Sequence, residues 1–84
     1  MNKYFITFRS VTYAQRGEAA LRSAGIHCTL GRAPRAMEER GCGYSLSLPQ
    51  GDVYRGLDVL KTRQVPYRKV YARWENGDLK EVEL

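Results

Sequence analysis

The chain has 84 residues, a formal net charge of +5, 43% hydrophobic residues and 27% charged residues. This length and composition fit one globular domain, residues 1–84, and leave no room for a second domain. No apolar run approaches the roughly 20 residues that a membrane-spanning helix needs, and no secretory cleavage pattern follows the N-terminus. We therefore expect a soluble protein of the cytoplasm.

Residues 3–9 alternate between two faces and are rich in aromatic and β-branched side chains, which predicts a first strand. Thr12 and Gln15 have the spacing of a capping box at the start of a helix over residues 13–24. The apolar stripe of this helix comprises Ala14, Gly17, Leu21 and Ala24. Gly25 is the expected stop after the last helical residue.

The middle of the chain predicts two further strands separated by an irregular segment. Residues 26–30 alternate, so that Cys28 faces the core with the apolar side chains. Residues 31–43 contain three glycines, Pro34 and charges of both signs, which indicates a long loop. Residues 44–48 alternate again and predict the third strand.

The last part of the chain predicts a helix, a strand and a hairpin. Apolar residues at helical spacing indicate a second helix over residues 52–64, which Pro66 prevents from continuing. Residues 67–74 predict a fourth strand. Asn76-Gly77 is a strong two-residue hairpin signal, so residues 79–83 are expected to return as a short fifth strand.

The order β-α-β-β-α-β predicts an α+β fold of the ferredoxin-like, split βαβ type with a C-terminal hairpin extension. Right-handed crossovers give an antiparallel sheet in the spatial order 4-1-3-2, with both helices on one face. Gly17 and Gly56 each cost roughly 1 kcal/mol in a helix relative to Ala. A close approach between a helix and its neighbours would explain both glycines.

Few residues are suited to catalysis or metal binding. The two cysteines, Cys28 and Cys42, form no CxxC pair, and His27 is the only histidine. The sequence has no paired-carboxylate constellation, phosphate loop or glycine-rich dinucleotide turn. We therefore expect reduced thiols, no metal and no cofactor, and an enzymatic function is not favoured. The positive charge permits an anionic partner but also fits a simple solvated surface.

Two short pairs of residues resemble a small bacterial family of unknown function, the selenium/sulfur carrier-like proteins. The distinctive pairs are Pro34-Arg35 and Cys42-Gly43. The rest of the resemblance, over residues 4–71, is generic to the fold. Arg32 stands where the family has a proline, and the segment between the two pairs is more charged and one residue longer than in the family.

The resemblance implies that Cys42 carries sulfur or selenium and passes it between partner enzymes, such as a donor enzyme. Beside this thiol, Pro34, Arg35 and Gly43 are the predicted binding residues, because Pro34-Arg35 can place a guanidinium for an anionic group. Chemically, the flanking glycines leave room for a partner, and neighbouring arginines favour a thiolate if the loop brings them close. The alternatives are a small residue packed at a strand entrance and a rigid Pro34-Arg35 turn with a solvated arginine.

The helix-free face of the sheet suggests a second class of function. The residues expected to line it are Phe5, Thr29, Ser45 and Ser47, together with Tyr67, Lys69, Tyr71 and Arg73. Aromatic and basic side chains can stack on bases and hold phosphates, so the alternative is a non-catalytic interaction or RNA-binding module. Because the third strand offers serines where an RNA-recognition pattern has aromatics, nucleic acid is possible but not favoured. The sequence does not specify the oligomeric state.

Overall fold

Five strands and two α-helices follow one another within residues 2–33 and 43–83. In the structure, a computed structural model, residues 2–33 and 43–83 are described. The elements in chain order are β1 (Lys3–Phe8), α1 (Val11–Ser23), β2 (Thr29–Arg32), β3 (Tyr44–Pro49), α2 (Val53–Thr62), β4 (Val70–Arg73) and β5 (Leu79–Val82). A single 3₁₀ turn, Gln50–Asp52, leads from β3 into α2. Within these ranges, no helix has the length and apolar character needed to cross a membrane.

The five strands form one antiparallel sheet in the order β2-β3-β1-β4-β5. This order confirms the ferredoxin-like arrangement predicted from the sequence, extended by β5 at the edge of β4. The central strand β1 pairs with β3 on one side and with β4 on the other. At the end of β1, Phe8 lies opposite Tyr44, the first residue of β3.

Both helices pack on one face of the sheet because each has an apolar stripe that must leave water. The core between the helices and the sheet contains Ile6, Phe8, Leu21, Leu46, Leu48, Leu57 and Leu60, among others. A Cβ atom added at Gly17 would lie 2.9 Å from Cζ of Phe8, and one at Gly56 would lie 3.1 Å from Cδ1 of Leu48. The expected close approach of the helices to the sheet is therefore confirmed.

Helix α1 begins at Val11, earlier than the capping-box pattern predicted. The prediction that Thr12 is the N-cap is therefore wrong. Ser10 is the N-cap, because its backbone is extended and its Oγ accepts a hydrogen bond from the Tyr13 amide at 3.4 Å. The helix ends at Ser23, one residue earlier than predicted, and Ala24 is its C-cap. Gly25, the predicted stop, follows with a φ of 78°, in the left-handed region that glycine tolerates.

Strands β2 and β4 both begin three residues later than predicted. Before β2, the amide of Ile26 donates to the carbonyl of Leu21 at the end of α1, and Arg22 donates to the carbonyl of Cys28. Before β4, the amide of Lys69 donates to Oγ1 of Thr7 at 3.1 Å. These backbone groups form hydrogen bonds that are not part of the regular pairing between strands. The regular strands therefore begin only after them.

Replacement of Gly17 by alanine should destabilise the fold although alanine is the better helix former. The added methyl group meets the Phe8 ring, which is almost fully buried and cannot move aside freely. Overpacking of this kind costs about 1–3 kcal/mol, whereas the gain in helix propensity is about 1 kcal/mol. We expect the net effect to be a fall of about 1 kcal/mol in the free energy of unfolding, measured by chemical denaturation.

Gly51→Ala is the matched control, because no atom lies within 4 Å of a Cβ placed there and its backbone is not left-handed. The stability of this variant should stay close to that of the parent chain. A Gly17→Ala protein as stable as the parent would show that the helix stands farther from β1 than described.

Candidate functional site

The predicted site begins at one end of the sheet, where β2 ends and β3 begins. Pro34, Arg35 and Cys42 lie outside the described residues, and Gly43 is described and half-buried. The amide of Ala33 donates a hydrogen bond to the carbonyl of Gly43 at 3.0 Å. The two residues that flank segment 34–42 are therefore held together by the sheet, and Cys42 is covalently joined to one of them.

Two arginines lie beside these flanking residues. Phe8 and Tyr44 are the last pair of the antiparallel strands β1 and β3. Arg9, which follows Phe8, and Gly43, which precedes Tyr44, therefore lie next to each other just beyond this pair. Arg32 is paired with Tyr44 in the sheet, and its guanidinium lies 5.7 Å from the centre of the Tyr44 ring. Both arginine residues are exposed. Positive charge at this end is suited to an anionic group or a thiolate.

Arg9 and Tyr44 were not singled out from the sequence. Arg9 lies far from Cys42 along the chain, and only the register between β1 and β3 brings it beside Gly43. A signal was available, because the predicted order of strands makes the first and third strands neighbours. The sequence alone did not fix which residues would face each other.

Cys28 is buried, with 7% of its surface exposed, and it packs in the core beneath the helices as predicted. Burial raises the pKa of the Cys28 thiol, with a smaller upward effect from Glu18, while the positive charge of Arg22 acts in the opposite direction. Cys28 is therefore held as a neutral thiol within the fold. Such a thiol is a poor nucleophile and a poor metal ligand.

The helix-free face of the sheet differs from the open platform expected from the sequence. Phe5 and Tyr71 do lie on this face, but they are only 9% and 8% exposed, and they form a separate apolar cluster with Ala33. The guanidinium of Arg73 lies 5.3 Å from the centre of the Phe5 ring. The expectation of an exposed aromatic surface is therefore wrong, since neither ring is free to stack on a base.

The other predicted members of that face are divided among different environments. Ser45 is buried, Ser47 and Lys69 are half-buried, and Thr29 is exposed. Tyr67 was also placed wrongly, because it packs against the helix-side core. Residues 65–69 precede β4, so the alternation of faces does not extend back to Tyr67.

Among the described residues, no group of histidine, cysteine, aspartate and glutamate side chains could hold a metal ion. The fold and the site together define a small ferredoxin-like protein whose predicted functional segment joins two paired strands at one end of the sheet. A family model described as "Putative Se/S carrier protein-like" matches residues 3–72, and the chain belongs to this family. Comparisons with curated proteins and with solved structures gave no match.

Cys28 should react slowly with a thiol-alkylating reagent as long as the protein is folded. Its burial limits access, and its raised pKa keeps the thiolate population small near neutral pH. We expect modification of Cys28, followed by mass spectrometry of peptides, to be at least about tenfold slower in the native protein than in denaturant.

The same pKa shift predicts a pH dependence of stability. Because the folded-state pKa of Cys28 is raised, its contribution is fully present below the thiol pKa of the unfolded chain and is lost as pH rises through the folded-state value. The difference in unfolding free energy between the parent chain and Cys28→Ala should therefore shrink in alkaline solution. A difference that grows with pH would contradict the burial of this thiol.

Single-stranded RNA should bind weakly and lose its affinity as salt is raised. The net charge of +5 attracts phosphates, but Phe5 and Tyr71 are too buried to stack on bases. Fluorescence titration at low and physiological salt measures this directly. Sub-micromolar binding that persists at physiological salt and is lost in Tyr71→Ala would show that the sheet face binds RNA after all.

Proposed function

We propose that this protein carries sulfur or selenium on the thiol of Cys42 and transfers it between partner proteins, such as a donor enzyme and an acceptor. The observation that carries the proposal is membership of the Se/S carrier-like family over residues 3–72, a span that includes Cys42. The position of Gly43, the residue that follows Cys42 in the chain, at the end of the sheet supports the proposal.

The chemistry requires a thiolate and a donor persulfide. The thiolate of Cys42 attacks the outer sulfur of the donor, a new S–S bond forms, and the S–S bond within the donor breaks. The donor leaves as a thiolate, and Cys42 holds the outer sulfur as a persulfide. No external oxidant is required, because the transferred sulfur keeps its oxidation state. A donor with selenium in the outer position reacts in the same way through an S–Se bond.

The contrast with Cys28 supports the choice of Cys42. A carrier thiol must be reached by two successive partners and must ionise near neutral pH. Cys28 meets neither condition, because it is buried under the helices and its pKa is raised. Of the two cysteines in the chain, Cys42 is the one whose chain neighbour Gly43 lies at the edge of the fold, next to Arg9 and Arg32.

The remaining predicted site residues have supporting roles in this proposal. Arg35 attracts the anionic form of a donor or stabilises the leaving thiolate, and Pro34 limits the directions in which the chain leaves Ala33. Gly43, without a side chain, leaves space for the atoms of an incoming donor beside Cys42. The described arginines Arg9 and Arg32 add positive charge at the base of the segment.

Treatment of the reduced protein with inorganic polysulfide should add the mass of a sulfur atom at Cys42. We expect this adduct in the parent chain and in Cys28→Ala, and we expect it to be absent in Cys42→Ser. Intact-mass measurement followed by peptide mapping, after blocking free thiols with iodoacetamide, locates the added sulfur. Return of the adduct to a thiol on addition of an acceptor thiol would establish that the sulfur can be passed on.

Cys28→Ala is the appropriate control because it removes the other thiol of the chain, which is buried where the donor cannot reach it. The replacement side chain is also small. If sulfur is added equally well to Cys42→Ser, or mainly at Cys28, the carrier proposal is wrong. An adduct that no acceptor thiol can remove would also contradict it, because a carrier must release its cargo.

A further inference from the structure

Four described residues form a surface at the end of the sheet where Gly43 lies. They are Arg9, Val11, Arg32 and Tyr44, and we refer to them as the loop-end surface. Arg9 lies between β1 and α1, and Val11 is the first residue of α1. Arg32 of β2 is paired with Tyr44 of β3. Since paired strands lie roughly 4.8 Å apart, these residues of three adjacent strand ends lie close together.

The loop-end surface is electropositive. Neither Arg9 nor Arg32 forms an ion pair with an acidic side chain of the described residues. The first turn of α1 contains no acidic residue, and the positive end of the helix dipole points toward the same end of the sheet. Segment 34–42 contains two arginines and two glutamates, so its formal charge is zero.

Two features make this surface more specific than a diffuse positive charge. The guanidinium of Arg32 lies over the Tyr44 ring, an arrangement that limits its conformations and leaves less entropy to lose on binding. Val11 is 37% exposed, one of the few large apolar side chains in the described chain that face solvent. An exposed apolar side chain on a positively charged surface is typical of a protein contact.

We propose that the loop-end surface docks an acidic protein surface with an apolar residue at its centre. Carboxylates of the partner pair with Arg9 and Arg32, and its apolar side chain packs against Val11. Charge complementarity of this kind accelerates encounter and fixes orientation. If Cys42 carries sulfur as proposed above, this contact belongs to the donor or acceptor protein and positions its reactive group near Cys42.

A protein partner fits this surface better than a nucleic acid. Base stacking needs an accessible ring, but the Tyr44 ring is already faced by Arg32, and Phe5 and Tyr71 are buried. An exposed valine contributes little to the binding of phosphates, which depends on charge. Val11 therefore distinguishes the two kinds of partner.

Binding can be tested with labelled peptides that contain no cysteine. One probe has glutamates on both sides of a leucine, and the second has lysines in place of the glutamates. Fluorescence anisotropy at physiological salt should detect binding of the acidic probe alone. In the double variant Arg9→Gln/Arg32→Gln, its affinity should fall about tenfold, because exposed charge pairs each contribute modestly.

The matched control is Lys3→Gln/Lys80→Gln, which removes the same charge from exposed residues away from the loop-end surface. This variant should bind the acidic probe as the parent chain does. Arg32→Lys keeps the charge but loses the planar group over Tyr44, so it should lose less affinity than Arg32→Gln, which separates the effect of charge from that of stacking. Val11→Ser should lower the affinity for the acidic peptide and leave the affinity for a single-stranded RNA oligonucleotide unchanged.

Equal binding of the acidic and basic probes, or an equal loss in the two double variants, would overturn the docking proposal. RNA that binds more tightly than the acidic probe at physiological salt would also overturn it. Because the probes carry no thiol, the result is independent of sulfur chemistry. A chain that binds the acidic probe but accepts no sulfur at Cys42 refutes the carrier function alone, and the converse refutes the docking surface alone.

Discussion

The close packing of α1 against β1, at the contact between Gly17 and Phe8, constrains the rest of the molecule. Phe8 is almost fully buried, and the helix can cover it only because residue 17 has no side chain. Phe8 is also paired with Tyr44 at the start of β3. A shift of one residue in this pairing would turn the apolar side chains of β3 toward solvent. The packing of Phe8 therefore also fixes the place where Gly43 enters the sheet.

Much of the fold could be predicted because its signals are local. The alternation in β1 and β3, the stripes of both helices, and the turn at Asn76-Gly77 each depend on neighbouring residues, and the strand order follows from general rules of chain connection. The burial of Cys28 was predictable for the same reason, since an alternating pattern assigns its face even though regular strand geometry begins just after it.

The errors arose where a side chain or backbone group bonds to a partner that a local pattern does not reveal. Ser10 and Thr12 are both good caps in sequence, and the extended backbone at Ser10 decides between them. The amide of Lys69 donates to Oγ1 of Thr7 on the neighbouring strand, and β4 begins only after Lys69. The burial of Phe5 and Tyr71 on the helix-free face, and the placement of Arg9 beside Gly43, likewise depend on contacts between residues distant in sequence.

The arrangement separates the part of the chain that maintains the fold from the part proposed to act. The hydrogen bond between Ala33 and Gly43 joins the end of β2 to the start of β3 at the base of their connection. Arg32 and Tyr44 belong to the ends of regular strands, whose positions the core determines, and Arg9 directly follows β1. A docking surface built on these residues therefore takes its geometry from the sheet and from the core beneath it.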